Sequence, residues 1–143
     1  MLHSIYVNGQ RRFTARHPNT GYLTWLNDYM GSTPITTGLN RFHSIPNQKG
    51  QEMQGRVGFY YRDGDIDPNW HNIDDVLLIV YQSWTDAHKF IGAIDPTLHQ
   101  VNFTYPVDFV LSYFGPSCGK RYIVENVLEK LDVPGEFYFD KVN

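Results

Sequence analysis

The sequence predicts an all-β fold, either a β-barrel or a Greek-key-like β-sandwich, with one short helix near the C-terminus. Three observations carry that prediction. Aromatic residues make up 15% of the chain, with ten Tyr, nine Phe and three Trp, and such side chains favour the pleated, half-buried surface of a strand. Eight Pro and twelve Gly punctuate the chain too often for long helices. The apolar segments between these breaks are short, at strand length. With 143 residues the chain has the size of a single β-rich domain, 1–143, able to bury about two-thirds of its unfolded surface in one core.

Each element follows in order. "IYVNGQRRFTA" opens with a hairpin, because Asn8-Gly9 supplies the positive-φ pair of a two-residue turn between "IYV" and "RRFTA". "HPNTGY", His17 to Tyr22, is a run of turn residues. Tyr22 to Met30 fits a short helix or a strand. Gly31 to Gly55 is aperiodic and rich in Thr, Asn, Gln, Pro and Gly, a long loop of the kind that is commonly functional or mobile. "RVGFYY", Arg56 to Tyr61, reads as a strand. "VLLIVYQSW", Val76 to Trp84, is apolar on both faces as far as Tyr81, as a strand covered on both sides would be. "HKFIGAID" and "HQVNFTY" form a hairpin around "DPTL", and "VDFVLSYF" from Val107 reads as a further strand or a bent extension. In "RYIVENVLEKL", Ile123, Val127 and Leu131 fall four apart with Val124 and Leu128 beside them, which predicts a helix over Arg121–Leu131. Asp132-Val133-Pro134-Gly135 would end it, and "EFYFD" closes the chain as an alternating strand.

Charge and composition exclude several classes. Twelve Lys and Arg against 15 Asp and Glu leave a net charge of −3 without a basic run, which gives nucleic acid no footprint. No apolar run reaches the roughly 18 residues of a membrane span. The N-terminus lacks the charged-then-apolar pattern of a secretion signal, and the single Cys118 excludes an internal disulfide. "NFT" at Asn102 is a glycan-acceptor triplet of a kind that often arises by chance.

The acidic stretch "RDGDIDPNWHNIDD" sets Asp63, Asp65, Asp67, Asn69, His71 and Asp74 on the spacing of a calcium loop. Pro68 stands where that loop needs a glycine, His71 is a poor ligand for a hard cation, and the last acid is Asp instead of Glu. The stretch also joins strand to strand, so a solvated turn that caps its own backbone is the expectation. His3, His17, His43, His71, His88 and His99 contain no pair at zinc spacing, and no metal site or cofactor is expected. Neither is a nucleophile motif: "FGPSCG" lacks the strand-to-helix elbow of G-x-S-x-G. Hydrolysis of a glycoside needs two facing carboxylates; Glu52, Asp86, Glu125 and Glu136 are candidates, but no spacing pairs them. Trp70 and Trp84 flank the most buried-looking strand, where an aromatic ring is more often core than platform.

Three separated stretches, "IYVNGQRRFTARHPNTGY", "NIDDVLLIVYQSWTDAHKFI" and "RYIVENVLEKLDVPGEFYFD", resemble in this order the segment that interrupts right-handed parallel β-helix proteins related to glycoside hydrolase family 141. In those proteins an "NG-R…AR-PN" hairpin leads into a β-rich insertion, and an "EN…LD-PGEWY-D" helix and strand leads back. Phe137 stands where the pattern usually has Trp, and Gly31 to Gly55 carries no resemblance. Where family members have a proline-glycine-aspartate turn and a "W-N", this chain has "DGDIDPNWHN", which makes Asp63 and Asp67 incidental to a ligand set.

The resemblance implies an insertion domain whose partner is the β-helix of a secreted or cell-surface parent acting on plant polysaccharide, including fucose- and xylose-containing ones. The hydrolytic carboxylates of such enzymes lie on β-helix coils, so no catalytic residue is expected here and the chain alone is not expected to be an enzyme. The domain would pack on the β-helix and shape its glycan cleft. For contact with sugar the expected residues are Trp84 as a stacking face, with His88 and Arg16 as hydrogen-bonding partners of hydroxyls; all three could equally serve the core or the interface. Arg121, Glu125 and Asn126 match the return motif and are expected to fix that segment to its surroundings. Three rivals remain: an independent carbohydrate-binding module, a complete enzyme using Glu125 or Glu136, and an interaction module without sugar affinity.

Overall fold

The computed structural model of the chain describes residues 5–28, 56–81, 85–108, 111 and 120–140. Of these, 44% lie in strands and there is no α-helix, so the all-β class is correct. The first hairpin is present as β1 (Ile5–Val7) and β2 (Gln10–Thr14). Short strands follow at β3 (Arg16–His17), β4 (Leu23–Thr24) and β5 (Asn27–Asp28), so the open segment after Tyr22 holds short strands as far as Asp28, and its last two residues lie outside the described ones. Next come β6 (Gly58–Tyr60), β7 (Leu77–Tyr81), β8 (Asp86–Asp95) and β9 (Gln100–Phe103). The chain closes with β10 (Arg121–Glu125) and β11 (Glu136–Phe137). The region 31–55, Trp84 and most of the segment after Val107 lie outside the described residues.

The helix expected over Arg121–Leu131 is not there. Its first half is β10, and only Leu128–Lys130 coils, as a single 3-10 turn. The reason is that β10 is an interior strand buried on both faces. Tyr122 and Val124 are fully buried on one side and Ile123 on the other, so apolar residues run consecutively and mimic a helical stripe. The distal half of that stripe, Leu128 and Leu131, is 40% and 43% exposed and supplies no burial to hold a helix.

β7, β8 and β9 form a meander, and β10 returns to lie antiparallel beside β7, which is the strand order of a Greek key. The sheet continues as β3-β10-β7-β8-β9-β6-β5, with β4 also on β10. It is not closed into a barrel; it folds over on itself. Phe59 of β6 and Tyr122 of β10 are separated by three strands in the sheet, yet their rings lie 4.7 Å apart. Trp25 stacks on Phe59 at 5.3 Å, and Phe103 meets Phe59 edge-on at 5.9 Å. With Leu78, Val80, Ile91, Val101 and Val124 these rings form the inner core, and the sandwich-like alternative is the correct one. The fold-over occurs along β8, whose first half pairs with β7 and whose second half pairs with β9 across a register shift between Ile91 and Ala93. Such a bulge bends a strand.

The other face of β7 and β10 buries a second cluster, Leu77, Ile79 and Ile123, with Tyr81 and Phe90 against it. A separate three-stranded sheet, ordered β1-β2-β11, runs β11 parallel to β2. The first hairpin and the last strand therefore share one sheet. Asn102, in the glycan-acceptor triplet, is fully buried on β9, so the folded chain closes that site to modification.

Candidate functional site

The acidic stretch is a structural tie among its neighbours. Asp67 Oδ1 accepts a hydrogen bond from the Asn69 N–H at 2.9 Å, the expected self-capping turn. Asp65 turns inward and accepts one from the Tyr122 hydroxyl at 3.4 Å. Burial raises both groups, although for Asp65 the hydrogen bond from Tyr122 works the other way. The Asn72 amide donates to Asp140 and Tyr138 at 2.8 and 3.2 Å, and the His71 N–H donates to Glu129 at 2.8 Å. Trp70 is buried, with His17 edge-on to it at 6.4 Å, so it is core and not a platform. Among the described residues no three His, Cys, Asp or Glu side chains gather as a metal-ligand set.

The candidate site lies on the outer face of β10-β7-β8. Register pairs Arg16 with Glu125, Glu125 with Leu77, and Ile79 with His88. Residues paired or spaced by two share a face, so these five side chains project together. Between this face and the β1-β2-β11 sheet lies a cleft of about 530 Å³, within the size range of small-ligand sites. Leu77 and Ile79 form its floor. β2 contributes Arg11, Arg12, Phe13 and Thr14, and the turn into β11 contributes Val133, Pro134, Gly135 and Glu136.

Within the cleft the charged groups differ in how far they are committed. Arg16 is held: its Nε donates to the Pro18 carbonyl at 2.8 Å and its Nη2 to that of Gly21 at 2.6 Å. Glu136 caps the approach to β11, accepting from the Asp132 and Val133 N–H groups at 3.3 Å through Oε2 and from that of Arg16 at 3.5 Å through Oε1. His88 is exposed and pairs with Asp86 at 2.9 Å. Glu125 is half-buried, and no hydrogen bond reaches its carboxyl among the described residues. Burial raises its pKa, with His88 and Arg16 pulling in the opposite direction.

The sequence-expected site residues therefore divide. Arg16 and His88 line one cleft, while Trp84 lies outside the described residues. Glu125 lines the cleft as well, in addition to its place in β10. Arg121 lies along the same face, 5.0 Å above the Tyr22 ring, and Tyr22 meets Tyr81 edge-on at 5.1 Å. Asn126 is a clamp: its amide donates to the Phe139 carbonyl and its Oδ1 accepts from the Phe139 N–H, each at 2.9 Å. Arg11 and Arg12 carry no signal in the sequence beyond the doublet following the hairpin turn. Compared with protein-family models, with curated proteins and with solved structures, the chain matches none.

Proposed function

We propose that this chain is a non-catalytic insertion domain of a polysaccharide-degrading β-helix glycoside hydrolase, packed on the β-helix and forming one wall of its glycan cleft. The observation that carries this is the β1-β2-β11 sheet, which pairs the first hairpin with the last strand. A chain that leaves a scaffold and returns to it needs its two ends side by side. The same end of the molecule presents Tyr6 and Phe13, each 66% exposed, and Phe139 at 37%, apolar surface suited to a neighbouring coil. The charged cleft opens directly beside these ends, where a wall residue would meet sugar bound on the parent.

A complete enzyme is the second reading, because Glu125 and Glu136 line one cleft. Against it, Glu136 spends both oxygens on backbone N–H groups, which leaves it a poor partner for a reacting sugar. Titration calorimetry of the chain with fucose- and xylose-containing oligosaccharides, together with a reducing-end assay, separates the readings. Binding without release of reducing ends is expected. Hydrolysis that disappears in Glu125→Gln or Glu136→Gln would replace the proposal with an autonomous hydrolase. The insertion itself is tested by the full gene product: short strand-turn coils on both sides are expected, and their absence would remove the β-helix partner.

A further inference from the structure

We infer that the cleft recognises the carboxylate of an acidic sugar, a hexuronate unit, with the guanidinium of Arg12 as its principal contact. This rests on the glycan reading above and specifies the class of glycan.

The cleft is lined by three arginines and two glutamates in a chain whose net charge is −3, so positive charge is concentrated where the rest of the molecule is mildly acidic. The three arginines are not equivalent. Arg16 has its fork turned to two backbone carbonyls and contributes a fixed field. Arg11 and Arg12 make no hydrogen bond or ion pair among the described residues. Arg12 is half-buried, and its Nη1 stands 3.5 Å from the point where a Cβ on Gly135 would lie. Glycine at 135, with φ at +94°, thus gives the turn beside the guanidinium a conformation that suits glycine.

A planar fork of N–H donors matches a carboxylate bidentately. Leu77, Ile79, Val133 and Pro134 supply apolar surface for the carbon face of a pyranose ring.

Amide chemical-shift titration of the chain with trigalacturonate, xylotriose, glucuronate and glucose 6-sulfate tests this. Trigalacturonate is expected to shift the amides of Arg12, Ile79 and Gly135, with affinity that falls as salt rises. Arg12→Ala should weaken it about 10- to 100-fold, the scale of losing a charge-assisted contact. Arg12→Lys, which keeps charge without the fork, should recover part of that loss, and a native-like amide spectrum for each variant shows that the fold is intact. Xylotriose binding as tightly as trigalacturonate would overturn the inference and leave the glycan reading in place. Binding of none of the four would overturn both. Tighter binding of glucose 6-sulfate than of glucuronate, or trigalacturonate binding unchanged in Arg12→Ala, would also overturn it.

Discussion

Glu125 shows how one residue can belong to a strand and a site with opposing demands. Its backbone pairs with Leu77 on one side and Arg16 on the other, so the carboxyl is carried onto the cleft face, where burial raises its pKa more than His88 and Arg16 lower it. An acid whose folded pKa exceeds its unfolded value binds its proton more tightly when folded. Stability then falls as pH rises through that interval, and the full penalty is present above it. Replacing Glu125 by Gln removes the ionisation. The variant is expected to melt higher than the parent at pH 7, with the gain shrinking to nothing as pH falls below about 4, under the ordinary Glu value. A loss at pH 7 would show that His88 and Arg16 outweigh desolvation, and a gain that persisted at pH 3 would show that ionisation is not its cause.

Among the elements, β7 and β10 are neighbours with the same kind of burial, yet only β7 was legible. "VLLIVY" is continuously apolar and too short for a helix, whereas "YIV" in β10 is followed by Val127, Leu128 and Leu131, which extend it at helical spacing. What ends the strand is Asn126 in the left-handed region at φ +61°, and a single Asn is a faint signal. The cleft was legible to the same extent. Arg16 follows the hairpin that the sequence shows and His88 opens its "HKFIGAID" strand, whereas Arg12 and Gly135 meet only because β2 and β11 pair in parallel, which no local pattern announces. β8 gives the test at this scale. A Cβ on Gly92 would run into the Phe103 carbonyl, and would stand 2.8 Å from its carbon, both backbone atoms that cannot swing aside. Gly92→Ala is expected to destabilise the fold by about 3 kcal/mol in urea unfolding, the upper range for overpacking. A loss under about 0.5 kcal/mol would mean that the bulge, and with it the fold-over of the sheet, adapts without strain.

Across the whole molecule, the paired ends are joined to the sandwich through a small set of hydrogen bonds that meet at Asn126. Its N–H donates to the Ala15 carbonyl at 2.8 Å, and the Ala15 N–H donates to that of Phe137 at 2.7 Å. The Asn126 side chain then closes the circuit by pairing with both backbone groups of Phe139. β2, β10 and the segment after β11 are thereby tied at one point, and the cleft between them keeps its width only while that tie holds. Asn126→Ala removes the two side-chain hydrogen bonds to Phe139 and a longer one, 3.5 Å, to the Asp75 carbonyl, and puts a Cβ-bearing residue without local compensation in the left-handed region. Together these should cost about 2–3 kcal/mol. The location of the effect is more telling than its size. Hydrogen exchange at Phe13, Ala15 and Phe139 is expected to accelerate together, while Val101 and Phe103 in β9 keep their protection, because the inner core does not depend on the tie. Asn126→Asp retains the acceptor for the Phe139 N–H and tolerates the backbone conformation, so it should fall between the two. If exchange rose at Phe139 alone, the last segment would be an independent flap, and the two ends of the chain would not act as one wall of the cleft.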